Sequence, residues 1–552
     1  MNLLNIAQSG LSSAQAALNV VGNNINNAYN GDSQDPFISG YCRRNIVLGE
    51  AGGRSSQYGF FGYGVQVNDV ARAYNSFISN QVRGAASEYT ALNSHYEQLS
   101  QIDNMFGNDT QNIAVSLGNI FGALEKMSSD PVNPAARQEA LTQFKTIASQ
   151  FRSNSSTLND LEKSTNKQIA QSVEDINSYT AQLAKINEQI NKVHGQTGGI
   201  PADLLDQRDN LLTKLSELTG IKVDENSSNG MVNVSLPNGM SLVNGNRSYQ
   251  LETSTSAADP ATTVVSYIDA AGNKLPLDEN MMSEGKLGGL FKFRNEDLVE
   301  ARNQLNQLAL QMANKFNEVN KLGYDLNGNP GQDIFSFADP VAQANRNNLG
   351  DATLDVAWSD ISQVNATSYD ITFNGSDWEV TRADGSKVTP TVGADGSLQF
   401  DGISIKPAGT PQAGDSFTLN PVDGVADSIS VALTDGNEIA ASSSANPDEE
   451  SNQENLQLLL GIRDEKIIGE ATLSEAYASM ASSVGSSTSA LKGAIETSGS
   501  AADEFINQQQ ALSGVDLNEE MVNMQMFTQY YQANAQILQT ATTLFDTLLS
   551  LR

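Results

Sequence analysis

The first 31 residues of this chain carry no charged side chain, and neither do residues 521–545. Helices that meet water are normally ringed with Glu–Lys pairs and with charges matched to the helix dipole. These two ends instead carry Asn, Gln, Ser and Thr around an apolar repeat. Leu4, Leu11, Leu18 and Ile25 recur every seven residues, with Ala7, Ala14 and Val21 three later in each heptad. Near the other end Met524, Tyr531, Leu538 and Phe545 recur every seven, and Tyr530, Ile537, Leu544 and Leu551 run beside them. That is the seam of a coiled coil. Helices of this length are marginal alone. Both ends are therefore expected to bury themselves against each other and against neighbouring copies, with no such partner holding them in a free monomer.

Between the ends the period changes several times. A helical tract runs from about Asn75 to Thr219, with Ile169, Ile176, Leu183 and Ile190 at seven-residue spacing. Pro131 and Pro134 break it, as do Gly195, Gly198, Gly199 and Pro201. Alternation then takes over: Val232, Val234 and Leu236, hairpin turns at Asn238-Gly239 and Asn244-Gly245, and a strand from Thr263 to Ile268. A helix returns at about Glu296 to Asn320. A second β region spans about Leu349 to Pro421, with turns at Asn374-Gly375 and Ala383-Asp384-Gly385. The Ser-, Asn- and Glu-rich stretch 441–456 reads as a flexible link, and helices resume at Leu473.

The expected fold class is α+β multidomain: an elongated helical-bundle stem built from both chain ends, with small all-β domains inserted. The divisions are 1–74, an axial helix and extended segment; 75–219, a long helical stem; and 220–285, a β module. There follow 286–340, a helical return; 341–430, an inserted outer β domain; 431–510, a C-terminal helical stem; and 511–552, an axial coiled-coil helix.

The chemistry excluded is as informative. A net charge of −32 disfavours nucleic acid and anionic membrane surfaces as partners. One Cys and two His in 552 residues exclude a disulfide framework and leave little for metal or acid–base work. No run of about 18 apolar residues suits a membrane helix, and the N-terminus lacks the basic and unbroken apolar regions of a secretory signal. Asp325, Asn327, Asn329, Gly331 and Asp333 hint at a calcium loop. Pro330 and Ser336, however, stand where such a loop needs Gly and Glu, so a polar turn is expected. Gly59, Gly62 and Gly64 read as a tight turn. His95 and His194 read as surface residues, and Cys42 has no nearby His to make it a nucleophile. No catalytic residue, cofactor or metal site is expected; an enzyme hidden in the 349–421 β region is the rival from another class.

Particular motifs now narrow the reading. Leu11-Ser12-Ser13-Ala14-Gln15-Ala16-Ala17-Leu18, then Asn23-Asn24-Ile25-Asn26-Asn27-Ala28 and Gly40-Tyr41 with Arg43, resemble the N-terminal signature of the flagellar rod, hook and hook-associated axial proteins. Ser513-Gly514-Val515-Asp516-Leu517-Asn518-Glu519-Glu520, leading to Gln529-Tyr530-Tyr531-Gln532-Ala533-Asn534-Ala535, is similar to that family's other end. Leu204-Leu205-Asp206-Gln207-Arg208-Asp209 and the run Tyr96 to Met105 resemble the hook-associated branch at the hook–filament junction. The segment Tyr29–Ser39 is longer than the family pattern, and Cys42 stands where Ser or Thr is usual.

The resemblance implies a structural, non-enzymatic protein outside the cell, exported without a cleaved signal by the flagellar type III apparatus. It implies a ring of copies between hook and filament, with the terminal helices as an inner tube and the β domains outward. The implied partners are further copies of itself, the hook protein, the third hook-associated protein and an export chaperone. Leu4, Leu11, Leu18, Ile25, Tyr531, Leu538 and Phe545 would form the assembly seam. Met524, Tyr531, Leu538 and Phe545 would be the chaperone-binding face. Another axial protein, the hook subunit or the third hook-associated protein, is the alternative. The long helical tract argues against the first and the length against the second.

Overall fold

The computed structural model describes residues 2–28, 35–38, 40–56, 59–108, 112–226, 228–446, 449 and 451–550. Most of the Tyr29–Ser39 loop (29–34 and 39), Leu551, Arg552 and the side chains of Phe60 and Phe61 lie outside the described residues. Helix α1 spans Asn2–Asn27. The stem follows as α2 (Ser76–Phe106), α3 (Ile113–Ser129), α4 (Pro134–Thr197) and α5 (Ala202–Leu218). Next come α6 (Gly285–Lys292) and α7 (Leu298–Leu322), joined by a π turn at Phe293–Asp297. The short α8 (Val425–Ser428) and α9 (Glu454–Gly461) lead to α10 (Leu473–Ser513) and α11 (Leu517–Ser550).

Helix α4 sets the length of the molecule. At about 1.5 Å per residue its 64 residues span roughly 96 Å. It starts where Asn133 caps the amides of Ala135 and Ala136, with Pro134 in the first turn, where a missing N–H costs nothing. It ends at Gly198, whose φ of 68° only glycine adopts freely. Its first half packs with α3, α7 and α10 around Phe121, Phe144, Phe316 and Phe335, whose ring centroids lie 5.4–6.2 Å apart. Its second half, with the stripe Ile169, Ile176, Leu183 fully buried, supports the first β body together with α5 and α6. The chain exposes 27329 Å², against about 19,000 Å² for a compact chain of this mass. The excess is that of an elongated, jointed molecule.

The first β body is a meander of Lys222–Glu225, Val232–Ser235, Ser241–Asn244 and Arg247–Ser248, beside a three-stranded sheet of Leu251–Thr255, Thr263–Ile268 and Lys274–Pro276. The second is a sandwich. A five-stranded sheet containing Tyr369–Phe373, Trp378–Arg382 and Ser416–Leu419 faces a four-stranded sheet containing Thr353–Trp358, Leu398–Phe400 and Ile403–Ala408. Tyr369, Ile371, Val380, Ile405 and Phe417 fill its centre.

Three expectations are corrected. The helical tract breaks once more, at Gly107, and Asn112 caps a new start at Ile113. His95 is buried rather than a surface residue: its Nε2 lies 2.6 Å from Asp297 at the π turn. The 441–456 stretch is not a featureless link, because Ser442 pairs with Tyr324 and α9 begins at Glu454.

Candidate assembly surface and its polar anchor

Helices α1 and α11 pack antiparallel on each other, so the two chain ends do find a partner within one molecule. The fully buried line of α1 is made of small residues: Ala7, Gly10, Ser13, Ala14, Ala17, Val21 and Asn24. The approach at Gly10 is so close that a Cβ there would lie 2.3 Å from the Asn534 side chain. Leu4, Leu11, Leu18 and Ile25 are only half-buried and flank this line. The seven-residue repeat Gly10, Ala17, Asn24 was present in the sequence but was hidden by the larger leucines. On α11, Leu538 is half-buried, while Met524, Tyr531 and Phe545 are exposed. The companion stripe Tyr530, Ile537 and Leu544 is also uncovered, at 53%, 39% and 55% exposure. Met521, Val522 and Leu549 are exposed as well, so α11 carries more exposed large apolar side chains than a soluble helix ordinarily does.

The base of the helix pair is polar and closed. Strands Arg44–Glu50 and Val65–Arg72 form an antiparallel ribbon that lies across α1. A second hairpin, Gly53–Ser56 with Gly59–Gly62, extends it where a tight turn was expected. Ser9 and Ser13 hydroxyls bind the Val65 backbone. Asn24, 1% exposed, has all its polar capacity used. Its Nδ2 donates to the Arg44 carbonyl (2.9 Å) and to Glu520 (3.1 Å). Its Oδ1 accepts from the Arg44 amide and the Tyr41 hydroxyl, both at 3.0 Å. Arg43 reaches Glu520 at 2.8 Å and Glu519 at 2.7 Å, and its amide donates to the Ser513 carbonyl.

From there a buried ion chain runs into the stem. Arg44 pairs with Asp206, and Arg72 bridges Asp206 (2.9 Å) and Asp209 (2.6 Å). Arg208, fully buried, binds Asp209 (2.7 Å), Glu225 (2.9 Å) and the Gly230 carbonyl. Burial alone would raise the Asp209 pKa. The Arg208 and Arg72 guanidiniums outweigh it and hold the carboxylate below its usual range. The motif Leu204 to Asp209 is therefore the stem's half of this network. Cys42 sits inside it, and burial followed by the Asp206 charge pushes its thiol up to about 12, the opposite of an activated nucleophile.

The other singled-out residues are structural. Asp325 accepts the amides of Asn327 and Asn329 and the Asn329 side chain, closing a polar turn. Among the described residues no group of three His, Cys, Asp or Glu could hold a metal ion, and no helix is long and apolar enough to cross a membrane.

Comparison with known proteins bears on this arrangement directly. Residues 99–335 match the family described as flagellar hook-associated protein FlgK helical domain, and 343–421 the flagellar hook-associated protein 1, D2-like domain. Residues 4–29 match the flagella basal body rod protein family, and 508–551 the flagellar basal body rod FlgEFG protein C-terminal family. The chain is 40% identical over 561 residues to flagellar hook-associated protein 1 of Salmonella typhimurium, covering all of both chains. It is 39% identical over 555 residues to that of Escherichia coli, again over both full lengths. The solved structure of the flagellar hook junction protein FlgK from Burkholderia pseudomallei is 27% identical with a TM-score of 0.71. That match covers 79% of this chain and 100% of the other.

Proposed function

Because this chain belongs to the flagellar hook-associated protein 1 family, we propose that it works as a ring of copies joining hook to filament through its terminal helices. It is a structural protein of the bacterial flagellum, and full-length identity to hook-associated protein 1 sets aside the hook subunit and the third hook-associated protein. The observation that carries the mechanism is the split character of α11. One side closes on α1 through small residues. The other leaves Tyr530, Ile537 and Leu544 largely exposed among the described residues.

The half-buried stripe of α1 completes this surface. Leu4, Leu11, Leu18 and Ile25 lie at the edge of the α1–α11 contact, where a neighbouring helix pair would bury them together with Tyr531, Leu538 and Phe545. Burial of a large apolar side chain stabilises by about 1.5–3 kcal/mol, so a few such residues per copy are enough to hold a repeated contact. Hook protein on one side and the third hook-associated protein on the other are the flanking partners in this reading. An export chaperone covers Met524, Tyr531, Leu538 and Phe545 beforehand, and the protein leaves the cell without a cleaved signal.

Charge supports the arrangement. Residues 1–74 hold four basic and four acidic side chains, so nearly all of the net −32 lies in the stem and β bodies. Those parts repel one another and stay outward while the neutral ends can meet. Detached flagella labelled with antibody to this chain should show one band where hook meets filament. Label distributed along the hook or along the filament would overturn the assignment.

A further inference from the structure

Helix α2 sets Asn80, Arg83, Gly84 and Ser87 along one face, three or four residues apart. That face borders a pocket of about 280 Å³, closed by α5, the first strand of the first β body and the turn ahead of α6. Arg83 is 5% exposed. Its one hydrogen bond among the described residues runs from Nη2 to Asn80 Oδ1 at 2.6 Å. Asp209 and Tyr74 feel its charge from farther off. Glu284, which lines the same pocket, lies over Gly220 instead, where a Cβ would meet its Oε2 at 2.5 Å. A buried charge is ordinarily paired with a carboxylate; this one is left without one in ion-pair reach. Ser87 is 2% exposed, and its hydroxyl bonds to nothing among the described residues. Between the two, a Cβ on Gly84 would meet nothing within 4 Å. Packing inside the chain therefore does not require glycine there, and glycine weakens a helix interior relative to alanine.

A buried cation, an orphaned hydroxyl and bare backbone at one spot suit an incoming group that carries oxygen atoms. We propose that this pocket receives an Asp or Glu side chain from a neighbouring copy of the chain. The proposal rests on the ring reading above and adds a contact between stems to it. A guanidinium takes a carboxylate through two parallel bonds, the Ser87 hydroxyl can donate to the same group, and Gly84 lets it approach the helix. The volume falls below the roughly 300–1,000 Å³ of small-molecule sites, which fits a single side chain. A second copy is a ready source, since Asp+Glu number 64 against 32 Lys+Arg. In the free protein the unpaired guanidinium weakens the fold that carries it; docking neutralises it.

The test uses Arg83→Lys combined with Glu284→Gln, which puts an amine at the pocket and removes the carboxylate within the chain. Detached flagella carrying this variant are treated with a water-soluble carbodiimide, which joins amines to carboxylates in contact. Mass spectrometry of flagella assembled from mixed isotopically light and heavy copies should show residue 83 linked to an Asp- or Glu-containing peptide of a different copy. The same treatment of the free monomer should give at least tenfold less of that adduct. Arg83→Met in the full-length monomer should melt no lower than the natural chain, because the charge it removes had no partner. An adduct confined to one chain would overturn the proposal, as would an adduct only to another flagellar protein or none in flagella. So would a lowered melting temperature in Arg83→Met, which would make Arg83 a structural residue of the stem. Antibody labelling at the hook–filament junction with no adduct between copies would sink this contact and leave the ring reading standing.

Discussion

At the scale of single residues, asparagine does much of the joining. Asn24, Asn177, Asn187, Asn317 and Asn348 each offer Nδ2 to the carbonyl and Oδ1 to the amide of one residue elsewhere: Arg44, Leu251, Val232, Phe335 and Ser416. A side-chain amide has the donor and acceptor of a backbone unit, so it stands in for a neighbouring strand and satisfies groups that burial would orphan. The Asn content was plain in the sequence; these pairings were not, because each depends on contacts 18–74 residues away. Asn317→Asp would set a carboxylate oxygen against the Phe335 carbonyl, at a cost of about 2–4 kcal/mol. The melting transition of the helical body should fall by roughly 5–10 °C, whereas the exposed Asn507→Asp should not move it. Glu217 gives a prediction in pH. Burial, then the Asp35 carboxylate, push it up to about 8 from an ordinary 4.5, against the opposing charge of Lys214. Folded protein keeps a proton that unfolded chain releases between those values, so stability falls as pH rises from 4.5 to 8. Glu217→Gln should equal the natural chain near pH 4 and exceed it by about 1–2 kcal/mol at pH 8.5, discounted for partial exposure, in denaturant titrations.

At the scale of elements, periodicity located the helices and strands well and the contacts less well. The Ile169–Ile190 stripe is buried along its whole length because α4 has β strands and α5 on that face. The heptads of α1 were equally clear, yet the buried line is Gly10, Ala17 and Asn24 with Ala7, Ala14 and Val21. Size explains the difference: two helices within one chain close most tightly over small side chains, which moves the leucines to the flank. The break at 107–112 was missed because Gly107 and Asn112 mark it only as a cap pair, without proline. His95 was misread because its partner, Asp297, lies on the π turn some 200 residues on. For the proposed export chaperone, the exposed apolar residues of α11 would suit a helix-in-groove contact. Leu538→Ala with Phe545→Ala should weaken chaperone binding at least tenfold in titration calorimetry. Unchanged affinity would place that contact elsewhere on the chain.

At the scale of the whole molecule, the path out along α2 to α4, through the first β body and α7 to the second, and back along α10 brings the ends together at one tip. That path was legible from the order of periods alone. The Arg43–Glu520 pair and the neighbouring ion chain from Arg44 through Asp206, Arg72 and Asp209 to Arg208 were not, because their members come from separate segments and nothing local marks them as a set. These pairs join the ribbon beside α1 to α5 and to the first strand of the first β body. In the proposed ring the outer surface of the tip would meet neighbouring copies, with the half-buried Leu11 at its edge. Leu11 belongs to none of the stem or β-body cores, so Leu11→Asp should leave their melting transition as in the natural chain. In the proposed contact between copies the same change would bury an unpaired carboxylate, at a cost of several kcal/mol at every repeat. The most direct measurement is electron microscopy of flagella from cells that export Leu11→Asp at the natural level. The account predicts hooks without filaments and filament subunits lost to the medium; junctions bearing full-length filaments would contradict it.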